Sequence, residues 1–129
     1  MTDASEKMRE DILRSFAEAW NSHGIDSFIS FMTDDCVFMA SAGPDICGVR
    51  YTGMEEVRAA FSEVFATFPD AHWSGGHHFI CGNRGVSEWT FTGTRANGTR
   101  FEVNGCNIFT FRGNKIAFKN SFRKNRTSG

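Results

Sequence analysis

Three histidines, one amide and a run of cations are the side chains best suited to chemistry here. His72, His77 and His78 form an H-x-x-x-x-H-H pattern. Side chains on a strand alternate between faces, so this parity puts His72 with His78 and His77 opposite. A neutral imidazole is a general base near neutral pH. Two histidines six residues apart on a strand lie ~20 Å apart, too far to share a metal ion. Asn107 stands in an otherwise apolar row with Phe101, Val103, Gly105, Phe109 and Phe111, while Glu102, Asn104 and Thr110 take the other face. A buried amide needs a partner. Asn107 is either a satisfied core amide or a donor aimed at a ligand carbonyl or enolate oxygen. No acid follows Glu102, whereas Arg112, Lys115, Lys119, Arg123, Lys124 and Arg126 do. That stretch is either a solvated strand face with a tail or an anion-accepting patch.

Other chemistry is excluded or weakly signalled. Cys36, Cys47, Cys81 and Cys106 form no C-x-x-C pair, so neither a zinc knuckle nor another metal site is expected. No glycine-rich phosphate loop, nucleophile elbow or H-E-x-x-H is present, and no cofactor is expected. Asp45, Cys47 and Tyr51 share a loop that can form a pocket mouth. His23 sits at a helix end and is expected to cap it. The net charge of −1 argues against a polyanion binder, and no nucleic-acid partner is expected. The opening MTDASEKMRE is polar and acidic, unlike a signal peptide. No run approaches the ~18 apolar residues of a membrane span. A cytoplasmic protein with reduced thiols and no membrane partner is expected.

These side chains must be positioned by one domain, 1–129, since the length leaves no room for two. Residues 4–22 read as a helix, with Met8, Ile12, Leu13, Phe16, Ala19 and Trp20 on one stripe. Ile25–Met32 reads as a short second helix, Thr33-Asp34-Asp35 as a turn, and 36–39 as a strand. Ser41–Tyr51 carries Gly43, Pro44 and Gly48 and reads as a loop. Thr52-x-x-Glu55 is a capping-box pattern opening a third helix, with Val57, Phe61, Val64, Phe65 and Phe68 at helical spacing, ended by Pro69. Four strands follow: 71–81, 86–95, 100–112 and 115–123. Their breaks are Gly82-Asn83-Arg84-Gly85, Asn97-Gly98 and Gly113-Asn114. Helices first and a four-strand meander after them mean α+β. Fourteen phenylalanines against one tyrosine can fill a core and still line a cavity.

This element order, with "DSFISFMTDDCVF", "YTGMEEVRAAFSEVF" and "NGCNIFTFRGNKIAF" in sequence, resembles the nuclear transport factor 2-like superfamily, the SnoaL-like, ketosteroid-isomerase-like and cystatin-like folds. The resemblance implies a cone-shaped curved antiparallel sheet wrapped around a long helix. It also implies an apolar cavity for a small apolar molecule and a homodimer through the convex sheet face. Residues 70–123 can be laid on the steroid-isomerase pattern, which needs a carboxylate base, a tyrosine donor and a protonated aspartic acid. This chain has Ala40, Phe16 and Asn107 at those positions. The acid that SnoaL-type cyclases carry near the end of the last strand is replaced by Phe122-Arg123-Lys124.

The isomerase register also implies that the polar sets of two strands face the cavity: Glu88, Thr90 and Thr92, and Lys119, Ser121 and Arg123. Trp89, Phe91, Phe118 and Phe122 would then face outward, which requires a dimer to cover them. Glu88, Asn107 and Lys119 would converge as acid/base equipment or as an inert structural cluster, and His72 would lie near the cavity floor. Phe16, Trp20, Ala40, Phe61, Phe65, Thr90, Val103, Phe109 and Ser121 would line the pocket. Two functions follow: cofactor-free proton transfer of isomerase, cyclase or dehydratase type on an apolar carbonyl compound, or a non-catalytic ligand-binding or dimerisation module. Without the isomerase acids, steroid isomerisation is expected to be absent. A Δ5-to-Δ4 steroid assay should show only the buffer rate, and enzyme-level turnover would overturn this.

Overall fold

Leu13, Phe16, Ala19 and Trp20 make the buried stripe of the first helix, α1 (Ala4–Asn21), in the computed structural model, which describes residues 4–127. Met8, expected on that stripe, is 49% exposed. The helix ends where Asn21 turns to Trp73: its amide nitrogen donates to the Trp73 carbonyl and its oxygen accepts the Trp73 N–H, both at 2.8 Å. His23 takes a left-handed φ of 58°, and its ring bonds the Ala71 carbonyl rather than the helix end.

The remaining elements are α2 (Ile25–Ile29), β1 (Met32–Met39), β2 (Arg50–Thr52), α3 (Met54–Thr67), β3 (His72–Cys81), β4 (Arg84–Thr94), β5 (Arg100–Arg112) and β6 (Lys115–Arg123). They build the expected α+β fold, with a curved six-stranded sheet in the order β2-β1-β6-β5-β4-β3. The meander β3 to β6 is antiparallel, and β1 pairs parallel to β6. Two helices share the concave face: α1 against β3, and α3 against β1 and β2. Trp20 ties them together. It stacks on Phe28 with centroids 4.5 Å apart and meets Phe61 edge-on at 4.6 Å. No helix among the described residues is long and apolar enough to cross a membrane.

Several boundaries differ from the sequence reading. Thr33-Asp34-Asp35 is not a turn but an irregular stretch inside β1, where the pairing to β6 shifts between Met32 and Val37. Arg112 holds it with two 3.0 Å bonds to Asp35. The 41–51 loop yields a short strand, β2, whose Tyr51 pairs opposite Phe38. The capping box does not form. Gly53 is the N-cap of α3, and the Glu56 carboxylate, not that of Glu55, accepts the Thr52 N–H at 3.1 Å.

A bulge in β3 and the regular register of β4 decide which side chains face inward. β3 carries an extra residue between Ser74 and His77, at Gly75-Gly76, with Gly75 at φ 69°. Such a bulge flips the alternation beyond it. His72 therefore pairs with Thr92 and His77 with Glu88, while His78 pairs with Ser87. The expected partnership of His72 and His78 is undone, and His72 shares the outer face with His77. On β4, Trp89 and Phe91 face inward, not outward. Trp89 lies across Gly105, its partner on β5. A Cβ at Gly105 would sit 2.5 Å from the indole ring, so glycine is what admits Trp89 there.

Candidate functional site

The concave face holds a partly open cavity of about 250 Å³. Trp20, Phe38, Ala60, Trp73, Trp89 and Phe91 form its apolar wall, and Asn107, Lys119, Ser121 and Arg123 are its inner polar groups. Ser41 and Ala42 of the 41–49 loop and Tyr51 of β2 complete it, with an exposed Glu63 of α3 among the lining groups. Asp45 and Cys47 of that loop are not among them. The β4–β5–β6 register explains the polar set. Ser87, Asn107 and Ser121 stand in one row across three strands, and Trp89, Gly105 and Arg123 in the next.

Lys119 is the unusual member. It is only 5% exposed and has no salt bridge among the described residues. Its Nζ lies 4.7, 4.4 and 5.5 Å from the ring centroids of Trp20, Phe38 and Phe61. Burial in this aromatic wall, and secondarily the like charge of Arg123, pushes its ammonium from 10.5 down to about 7. The ring faces act the other way and favour the cation. Nζ donates to Ser121 Oγ at 2.9 Å, and that hydroxyl donates to Asn107 Oδ1 at 2.7 Å. Because the hydroxyl proton is given to the amide oxygen, Asn107 Nδ2 points elsewhere and has no partner among the described residues.

Arg123 is half-buried. Its guanidinium lies 5.3 Å from Phe91 and 5.4 Å from Phe101, and Nε donates to Ser41 Oγ at 2.9 Å. Burial, then the neighbouring Arg95, lowers its pKa. Behind Lys119 and Asn107 is a second hollow of about 40 Å³, lined in part by Phe16, Phe109, His78 and Ser87. The His78 Nδ1 and Ser87 Oγ are 2.7 Å apart, and burial pulls the His78 pKa down, with Arg14 adding to it.

The residues singled out from sequence divide clearly. Asn107, Lys119 and Ser121 come together, and Trp20 and Ala40 line the same cavity. Phe16 and Phe109 line the small hollow. Phe61, Phe65 and Val103 pack in the core around it. Glu88, His72 and Thr90 do not reach the cavity with their side chains. Glu88 and His72 are exposed on the convex face, and Thr90 donates to Asn104 there at 2.7 Å. Their inward orientation is corrected by the β4 register and the β3 bulge. Trp73 and Trp89 were not singled out for the site, whereas His78 was named among the histidine candidates and Arg123 among the polar set of the last strand turned toward the cavity.

A curved sheet closing over two helices, with a hollow between, defines a cone-type α+β domain of the nuclear transport factor 2-like class. The chain belongs to the SnoaL-like domain family, whose model matches residues 13–118. No curated protein sequence matches it. Solved structures share the fold at low identity. A candidate polyketide cyclase of Xanthomonas campestris superposes with TM-score 0.84 at 16% identity, over 94% of this chain and 93% of its own. A candidate SnoaL-like polyketide cyclase of Jannaschia gives TM-score 0.84 at 15% identity, over 96% and 90%. A protein of unknown function from Mesorhizobium loti gives TM-score 0.79 at 21% identity, over 97% and 98%.

The burial of Lys119 predicts a pH signature. Between about 7 and 10.5 the unfolded chain holds a proton at this site that the native protein has lost. Stability therefore rises with pH across that window. Below it both states are charged and the burial penalty acts in full, on the order of 5 kcal/mol before the rings offset part of it. Lys119→Met should raise the urea midpoint strongly at pH 6 and much less at pH 10. Equal gains at both pH values, or losses, would show that no uncompensated charge is buried there.

Proposed function

We propose that this protein binds a small, largely apolar carbonyl compound and moves a proton on it without a cofactor. The observation that carries this is Lys119, an amine walled in by three aromatic rings, facing the cavity with no carboxylate beside it. With its pKa brought to about 7, a substantial fraction is free base at neutral pH and can accept a proton from the carbon next to a carbonyl. Asn107 Nδ2 is placed to donate to the oxygen on which negative charge then develops. Ser121 links the two and holds the amide orientation. The non-catalytic reading draws support from the absence of both the isomerase and the cyclase acids. The names of the cyclase-like structural relatives are consistent with carbonyl chemistry.

Solvent deuterium exchange into 2-tetralone, a small apolar ketone, separates these readings. The wild type should accelerate exchange, with a rate that rises with pH and levels off above about 7. Lys119→Met should abolish the acceleration, and Asn107→Ala should reduce it about 100-fold, the usual loss for an oxyanion donor. Exchange at the buffer rate, or unchanged in Lys119→Met, would leave only the binding module.

We also propose a homodimer through the convex sheet face. Trp89 and Phe91 no longer argue for it, but Phe79, Val86, Ile108 and Phe122 form an apolar patch there, with Phe79 57% and Phe122 48% exposed. Four unpaired cysteines suit a reducing, cytoplasmic setting. Light scattering at micromolar concentration should give the dimer mass, and Phe122→Glu should give the monomer mass. A wild-type monomer would remove the proposal.

A further inference from the structure

We infer that the ligand is a keto acid, its carboxylate seated against Arg123 and its carbonyl reaching Asn107 and Lys119. This rests on the ligand-site reading above, but not on catalysis.

Hydrogen-bonding capacity around the cavity is one-sided. The inner acceptors are already used, Asn107 Oδ1 by Ser121, Ser121 Oγ by Lys119, and Ser41 Oγ by Arg123, and only the exposed Glu63 carboxylate of the lining stands outside this set. The donors are not. The indole N–H groups of Trp20 and Trp89 are buried without a partner among the described residues. Asn107 Nδ2 and the terminal guanidinium nitrogens of Arg123, which are not fully buried, also make no hydrogen bond among the described residues. Unmatched buried donors weaken a fold, so a ligand that fills such a cavity should be rich in acceptors.

Charge is one-sided too. Arg123 and Lys119 both enter from β6, and Arg95 lies 5.3 Å from the Phe101 ring that Arg123 also approaches. From the other elements the cavity receives Trp20 of α1, Phe38 of β1, Tyr51 of β2, Trp73 of β3, and Trp89 and Phe91 of β4. Glu63 of α3 is the one carboxylate in the lining, and it forms no ion pair with either cation among the described residues. His78 faces only the smaller hollow. A guanidinium partly removed from water, with no counter-ion, is a seat for a planar carboxylate.

Spacing sets the ligand's shape. Lys119 and Arg123 are four residues apart on one face of β6, so their backbones are ~13 Å apart. The acid and the carbonyl should therefore be separated by several bonds across an apolar middle, as in a ring-bearing keto acid rather than a 2-oxo acid.

Trp20, Trp73 and Trp89, the three tryptophans of the chain, all line the cavity, so their fluorescence reports its occupancy. The test titrates 4-oxocyclohexanecarboxylate against its neutral carboxamide at pH 7. The wild type should bind the acid at least tenfold more tightly than the amide. Arg123→Gln should erase that preference, bringing the acid-to-amide affinity ratio to about one, and Arg123→Lys should keep part of it. Circular dichroism confirms that each variant is folded. Equal affinity for acid and amide, a preference that survives Arg123→Gln, or no quenching by either probe at millimolar concentration would overturn the inference. Acid-selective binding without proton exchange into 2-tetralone would remove the catalytic reading and leave this one standing. Exchange without acid selectivity would do the reverse.

Discussion

An amine held at the bottom of an aromatic cavity must lose its proton, find negative charge, or weaken the fold. Lys119 is under that constraint, and the site around it is arranged accordingly. Its neighbours offer ring faces and one hydroxyl but no carboxylate. Ring faces favour an ammonium without neutralising it. The group therefore stays responsive: a small change in its surroundings, such as a bound anion, shifts it between base and cation. A carboxylate beside it would have given a stable ion pair and fixed the charge, leaving an ordinary buried salt bridge.

Keeping such a cavity open is a packing problem, solved by large rings and missing side chains. Aromatic side chains are wide and carry few rotatable bonds, so they can wall a hollow without collapsing into it. Trp20 bridges the two helices, and Trp89 spans to β5 because Gly105 offers no side chain there. Gly93 does the same for Phe68, whose ring would lie 2.7 Å from an added Cβ. Apart from Tyr51, phenylalanine in place of tyrosine spares the wall hydroxyls that would need partners of their own. The inner polar groups are thereby confined to two neighbouring strands, Asn107 on β5 and Lys119, Ser121 and Arg123 on β6.

Much of this was legible in the chain because regular alternation carries it. The row through Asn107 on β5 held, and so did the inward placing of Lys119 and Ser121 on β6. The order of elements pointed correctly to the family. What failed was local irregularity. One extra residue at Gly75-Gly76 reversed the histidine parity, and nothing in H-x-x-x-x-H-H marks where a bulge falls. β4 and β6 were read as a matched pair, polar sets inward, yet β4 turns its aromatics inward while β6 turns its cations inward. Hydrophobic pattern alone decides β4 correctly. On β6 it misleads, since it buries Phe122, which is exposed, and exposes Lys119, which is buried. β2 is too short to carry a pattern at all.

The replacement of the family's acids gains its meaning from β6. In the steroid-isomerase pattern, carboxyl groups supply both the base and a donor. Here those positions hold Ala40 and Asn107, and the basic groups come from Lys119 and Arg123 on a different strand. Swapping acid for cation reverses the sign of the field in the cavity, and with it the ligand charge that can be accommodated. A carboxylate base in an apolar cone works on neutral substrates because a second negative charge would be repelled. An amine base beside a guanidinium carries the opposite preference. The same fold, with its charges moved from one strand to the next, is thus expected to select anionic rather than neutral carbonyl compounds, and Lys119 and Arg123 are the residues that set that selection.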